Sequence, residues 1–196
     1  YAVSYNKTKR IFWDQMGGTA MAAFGRFSAS VIECGSDETN LGRWSWMKVE
    51  GDGHTTRIVT AYQPNKPRCN SAGGTVWDQH RRYFEARQDF RLPCTIFSEQ
   101  LVAQLLLWKE AKEEIILLGD FNEHIYRGRL AQRLRQDDLH MVEQCRLVND
   151  VPLPRTYSRG NGTRPIDGVF ATAGITTVHA TALPFHHGVD DHRCFV

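Results

Sequence analysis

Ile115-Ile116-Leu117-Leu118-Gly119-Asp120-Phe121-Asn122 decides how this chain is read. The apolar run predicts a buried strand from Glu114 to Leu118, and Gly119 ends it. A carboxylate and a carboxamide follow at once. A strand that opens into a loop holds such groups on a rigid support, a common setting for chemistry. Farther on, Ile166-Asp167-Gly168-Val169-Phe170 puts one acid inside a second apolar strand, and a buried carboxylate requires a partner. Asp190-Asp191-His192-Arg193 then brings acids beside a histidine. Taken singly, Gly-Asp-x-Asn is an ordinary Asx-turn and Asp-His an ordinary surface pair. In this order the three stretches point to a metal-assisted phosphoesterase site.

The chemistry requires these residue types. A phosphodiester repels nucleophiles by its own negative charge. Hydrolysis needs a divalent cation on the phosphoryl oxygens, a positioned water and a donor for the developing charge. Mg²⁺ takes oxygen ligands, and Asp120, Asn122 and Asp191 supply suitable oxygens. His192 suits phosphate contact or proton movement. Such a histidine needs an orienting carboxylate, and Asp167 is the best placed by sequence.

Composition sets bounds around this site. At 196 residues with 41% hydrophobic content, 5 Trp and 10 Phe, the chain is read as a single domain, 1–196, with a sizeable core. The net charge of +2 announces no polyanionic partner by itself. The cations are 18 Arg against 6 Lys. That bias suits bidentate phosphate contacts and equally fits nucleotide composition. Five scattered cysteines form no Cys-x-x-Cys pair, so neither a zinc site nor a disulfide framework is expected. No apolar run approaches the ~20 residues of a membrane span. No signal peptide is evident, so an intracellular protein, nuclear or cytoplasmic, is expected rather than a secreted one. Tyr1 in place of Met points to a natural N-terminus farther upstream.

The remaining elements are read from pattern. Thr19 to Phe24 predicts a small-residue strand. Trp44 to Val49 alternates and joins Thr55–Tyr62 through Gly51-Asp52-Gly53-His54, a hairpin. Pro64, Pro67, Gly73 and Gly74 mark a long loop. Helices are expected from Val76 to Phe90 and from an N-cap near Ser98, the latter with Leu101, Leu105 and Trp108 on one face. A basic helix follows at Arg127–Arg135, and strands at Ile166–Ala171 and Ile175–Leu183. Phe195-Val196 reads as the opening of a further strand. Hairpins mixed with helix pairs predict an α+β layered domain.

With these residues in view, the chain resembles the endonuclease/exonuclease/phosphatase superfamily of deoxyribonuclease I-like folds. Gly119-Asp120-Phe121-Asn122 is similar to its Gly-Asp-x-Asn motif, Ile166 to Phe170 to its acid-bearing strand, and Asp190 to Arg193 to its Ser-Asp-His motif. Val59-Thr60-Ala61-Tyr62-Gln63-Pro64-Asn65 resembles a segment that supplies a Tyr and an Asn near the scissile phosphate in the abasic-site branch. The resemblance implies a four-layer α/β/β/α sandwich, here incomplete at its N-terminus and final strand. It implies Asp120 as the group that activates water or protonates the leaving group. Asn122 would hold phosphate and water. His192, oriented by Asp167, would bind the phosphoryl oxygen. Tyr62 and Asn65 would be substrate contacts, and Asp191 would act on the metal side. Mg²⁺ or Mn²⁺ is the implied cofactor.

The chain also departs from the family pattern. The Asn-bearing strand and the Glu-bearing strand that precede the Gly17-Gly18 region in the family are absent, and Glu33 and Glu38 lie after it. Asp190 stands where the motif has Ser. On this reading the chain is a fragment that binds metal weakly and catalyses poorly alone. The short Ile-Asp-x-Val-Phe form, with no Trp close before Asp167, is similar to retroelement-type endonucleases. The expected activity is therefore metal-dependent phosphodiester hydrolysis by a monomer, on nucleic acid and DNA rather than RNA, with no membrane partner. A phosphatase or phosphodiesterase acting on lipid or small phosphoesters, and a catalytically dead binding remnant, are the alternatives. Arg127, Arg129, Arg133 and Arg135 read equally as a backbone grip and as a solvated face. Arg81, Arg82, Arg87 and Arg91 read as a solvated face, and His186-His187 as a polar loop.

Overall fold

The computed structural model describes residues 1–7, 17–67, 74–136, 138–159, 162–188 and 191–196. Asp190, Gly73 and Cys69 lie outside them. The strands are β1 (Ala2–Ser4), β2 (Thr19–Met21), β3 (Val31–Ser36), β4 (Trp44–Gly51), β5 (His54–Tyr62), β6 (Glu114–Asp120), β7 (Val142–Glu143) and β8 (Asp167–Ala171). The helices are α1 (Val76–Glu85), α2 (Pro93–Glu110), α3 (Arg129–Arg135) and α4 (Gln144–Asn149).

Six strands form one sheet in the order β3-β4-β5-β6-β8-β7, and β1 pairs with β2 in a second, small sheet. Only β5 and β6 run parallel. The expected β4–β5 hairpin forms, with Asp52 at φ 50° and Gly53 at φ 76°. Two successive left-handed residues match the strand twist in such a turn. Alternation along β5 and β6 sets the layers. Val59, Ala61, Ile115 and Leu117 are buried with Phe97, Leu101 and Leu105 of α2. On the other side of the sheet, Thr19 Oγ1 donates to Ser45 Oγ at 3.0 Å and ties β2 to β4. This is the expected α+β sandwich, with a second sheet of two strands and isolated bridges among the described residues.

Some boundaries differ from the sequence reading. Helix α2 starts at Pro93, not near Ser98. Proline at the first helical position has its φ already set, so the helix begins a turn earlier. Ser98 is buried inside it and donates to Cys94 O at 2.9 Å. Helix α1 stops at Glu85, because the chain reverses through Gln88 at φ 61°. The strand expected at Ile175–Leu183 does not form. Only Ala182 bridges, to Phe195, flanked by exchange of bonds between Thr181 and Val196. Residues 175–180 have no neighbouring strand to complete a ladder. Strands β1, β3 and β7 and helix α4 carry no strong pattern and were not anticipated.

Arg43 is 1% exposed. It meets Asp37 through two bonds of 2.7 Å, donates to Gln100 Oε1 at 2.6 Å and stacks on Trp44. Burial alone would push the Asp37 carboxyl up. The Arg43 hydrogen bonds and charge, with help from Thr39, hold it below its usual value instead. The same backbone serves the site, since Tyr62 N donates to Arg43 O at 2.8 Å. Removing one partner of such a pair strands a buried charge. Asp37→Ala is therefore expected to cost about 3–5 kcal/mol in urea unfolding, and a loss under 1 kcal/mol would contradict it.

His80 is fully buried, with Nε2 against Leu41 O at 3.2 Å. Burial first, then the Arg43 charge, lowers its pKa to about 4. The unfolded chain therefore takes up this proton first. His80 costs nothing above about pH 6.5, and stability falls between there and about pH 4 by about 3 kcal/mol. His80→Gln should flatten that slope in unfolding curves across this range.

Candidate active site

The ends of three adjacent strands assemble the site. Tyr62 of β5 is in register with Asp120 of β6, and Asp120 with Asp167 of β8. Side chains in register across neighbouring strands share a face. Gly119 permits the arrangement. A Cβ there would stand 2.0 Å from the Ala61 carbonyl oxygen, closer than any side chain allows.

After Asp120 the chain turns sharply. Asn122 takes φ 49°, a region that Asn tolerates better than most residues. Its N–H donates to Asp120 Oδ1 at 2.9 Å, an Asx-turn. Its Nδ2 donates to Asp120 Oδ2 at 3.1 Å and to Gln63 O at 2.8 Å. Gln63 returns bonds from N to Asp120 O at 2.9 Å and from Nε2 to Phe121 O at 2.6 Å. The local turn and the site are one structure. The Asx-turn holds the amide, and its Oδ1 makes no hydrogen bond among the described residues.

His192 comes from far along the chain. Its Nδ1 meets both Asp167 oxygens, at 2.9 and 3.0 Å. The ring is held by a short bridge: Tyr157 pairs with His192, Ser158 N donates to Asp191 O, and Arg193 N donates to Thr156 O. Thr156 Oγ1 also accepts from the N–H groups of Ile166 and Asp167, at 2.9 and 3.0 Å. The Tyr157 ring lies 4.8 Å from the imidazole, tilted by 43°. Asp120, Asp167 and His192 bring ligand atoms within 4.8 Å of one another.

The electrostatics follow from this crowding. Burial first, and the Asp167 charge second, raise the Asp120 pKa to about 7. The hydrogen bond to Asp167 raises that of His192 against the opposing effect of burial, and the charges of Asp167, Asp120 and Asp191 add to it. Burial and the Asp120 charge push the Tyr62 phenol up. A cavity of about 710 Å³ opens on Tyr62, Asn65, Asp120, Asn122, Tyr157 and His192. Asp167 stands behind the imidazole.

Asp191 is placed differently from the other site residues. Its carboxylate is paired with the Arg159 guanidinium, and it does not join the cluster of Asp120, Asp167 and His192. The basic clusters are mostly tied down. Arg129 contacts Thr95 and Glu99, Arg135 donates to Tyr126 O, and Arg133 is engaged as well. On α1, Arg81 pairs with Asp78 and Glu85, and beyond its end Arg91 pairs with Asp89 and Glu99. His186 and His187 are exposed, ring against ring, and do not line this cavity. Thr156, Tyr157, Arg159 and Arg164 were missed by sequence reading. They lie in a Pro/Arg/Gly loop with no periodic signal.

No family model matches the chain, and no curated protein matches it. Solved structures do. The catalytic domain of Xenopus laevis APE2 matches at TM-score 0.53 and 11% identity, over 79% of this chain and 54% of that one. A 3′-5′ exonuclease from Neisseria meningitidis matches at 0.52 and 15%, over 78% and 62%. An AP endonuclease from Archaeoglobus fulgidus matches at 0.50 and 15%, over 78% and 63%.

The chain has the deoxyribonuclease I-like fold.

It spans about half to three fifths of the length of these structures. In this deoxyribonuclease I-like chain the Asp167–His192 pair is directly testable. Asp167→Asn should lower the His192 titration midpoint in NMR and leave that of exposed His186 in place. An unmoved midpoint would show that Asp167 does not govern the imidazole.

Proposed function

We propose that this chain is the catalytic part of a divalent-metal-dependent phosphodiester hydrolase acting on nucleic acid, a DNA endonuclease of retroelement type. The observation that carries the reading is the row Tyr62–Asp120–Asp167 across three strands, with His192 on Asp167, opening into a polar cavity. The fold shared with an AP endonuclease and a 3′-5′ exonuclease supports the reaction class. The short Ile166-Asp167-Gly168-Val169-Phe170 segment supports the retroelement type.

The donor set fits a hard cation. Two carboxylates and one imidazole bring ligand atoms within 4.8 Å of one another, and among the described residues the Asp120 carboxylate accepts hydrogen bonds from Asn122 alone. Uncompensated oxygen and negative charge suit Mg²⁺ or Mn²⁺. Asp120 and Asn122 Oδ1 would hold the ion, and Asp191 becomes available only by parting from Arg159. When bound, the ion draws charge from the phosphoryl oxygens. The protein's own groups do the rest. Asp167 accepts from Nδ1–H of His192 and favours the protonated ring, so that Nε2–H is left to donate to a phosphoryl oxygen. The Tyr62 phenol would orient the phosphate, and Asn122, with both Nδ2 hydrogens committed to Gln63 O and Asp120 Oδ2, would serve through Oδ1. Asp120 either takes the proton of the attacking water or returns one to the leaving oxygen.

Incubation of the natural full-length protein with supercoiled plasmid tests the reading. Nicking is expected in Mg²⁺ or Mn²⁺, abolished by EDTA, and reduced at least ~100-fold by Asp120→Ala or His192→Ala. No nicking in either metal, or nicking indifferent to both substitutions, would overturn it. Turnover of small or lipid phosphoesters without DNA cleavage would favour the phosphatase alternative.

A further inference from the structure

We infer that Arg164 and Arg127 together form a docking site for a non-reacting backbone phosphate of a polynucleotide, on the rim of the cavity that holds Asp120 and His192. The inference rests on the phosphodiesterase reading and adds to it a named contact outside the reacting centre.

Backbone geometry puts the two guanidinium groups on adjoining segments. The turn after Asp120 is zipped to the segment before Asp167: Phe121 N donates to Ile166 O at 2.9 Å, and Ile125 N donates to Pro165 O at 3.2 Å. Arg127 ends this turn and Arg164 precedes Pro165. Arg164 lines the cavity alongside Asn122 and His192.

What distinguishes this pair is the absence of a counter-charge. Among the described residues, neither side chain makes a hydrogen bond or ion pair, and both are exposed. The other arginines near the site are committed: Arg159 to Asp191, Arg129 to Glu99, Arg135 to Tyr126 O. The acid nearest Arg127 in sequence, Glu123, is occupied at the start of α3, accepting from Leu130 N at 2.7 Å, and Asp167, nearest Arg164, accepts from His192. Two like charges held on adjoining segments repel each other until an anion sits with them. Guanidinium groups suit phosphate oxygens in particular.

The shape of the substrate then follows. A small phosphoester carries its charge on the reacting phosphoryl group, which Asp120, Asn122 and His192 serve. A polynucleotide brings further phosphates on either side, and an unpaired cationic rim serves only that kind of substrate. The expected grip is thus narrower than the run of four arginines suggests, and it shifts to a residue outside that run.

Fluorescence anisotropy with a labelled DNA duplex, in EDTA so that nothing is cleaved, measures the contact through the salt dependence of binding. Each neutralised phosphate contact contributes about 0.9 to the slope of log affinity against log salt. Arg164→Ala should lower that slope by about 1 and weaken binding several-fold at low salt, and Arg127→Ala/Arg164→Ala by about 2. Arg164→Lys should keep the slope, and Arg135→Ala should leave it unchanged. Thermal unfolding of each variant checks that it remains folded. Salt-dependent binding that Arg164→Ala leaves unaltered would overturn the proposal and spare the nuclease reading. Equal losses in Arg135→Ala would also overturn it, as an effect of net charge alone. No salt-dependent DNA binding by the unsubstituted chain would overturn both the proposal and the nucleic-acid reading.

Discussion

The site depends on how closely β5 and β6 approach at their ends. Gly119 has no side chain to collide with the Ala61 carbonyl, so the pairing runs unbroken to Tyr62 and Asp120. Antiparallel pairing with β8 then sets Asp167 beside Asp120. Once three strands carry the row, the turn through Asn122 and the bridge through Tyr157 have fixed supports. Strand ends on a packed sheet hold polar groups more tightly than loops can. The sheet is packed from its helical side by Phe97, Leu101 and Leu105 of α2, and Phe121 stacks edge-on with Phe170 behind the site.

The deeply buried charges of the sheet are paired, and the charges at this opening are not all so. Deep in the sheet, Arg43 is matched by Asp37, and Glu113 by Arg57 and Lys48. Arg43–Asp37 and Arg57–Glu113 are desolvated and each is joined by two hydrogen bonds. At the cavity two carboxylates and one imidazole cluster, and among the described residues Arg164 on its rim and Arg127 on the adjoining turn make no ion pair. The proposed ion and the proposed backbone phosphate would offset these imbalances. Both imbalances flank the same two segments, the turn after Asp120 and the approach to Asp167. Strong perturbation of Asp120 in this setting agrees with such a site.

Much of the scaffold was legible because it is local. Alternation from Trp44 to Val49, with Asp-Gly in the turn, determines a hairpin without help from distant residues. The apolar run before Gly119 determines a buried strand in the same way. Errors arose where a neighbour decides. Ser98 has the chemistry of a cap, but Pro93 had already started the helix. Residues 175–180 have strand composition, yet a strand needs a partner.

The site divides along the same line. The sequence by itself determined which residues carry chemistry: Asp120 and Asn122 at a strand end, Asp167 within a strand, His192 beside an acid. Only the tertiary structure decided who meets whom. Asp167 and His192 are 25 residues apart and touch through a bridge built by Thr156 and Tyr157. Asp191, next to His192 in the chain, pairs with Arg159 instead. Arg164 makes no ion pair among the described residues, although Asp167 lies three residues away, because Asp167 turns to His192. Spacing reports residue type and local geometry. Pairing of charges depends on distances that long-range folding alone sets.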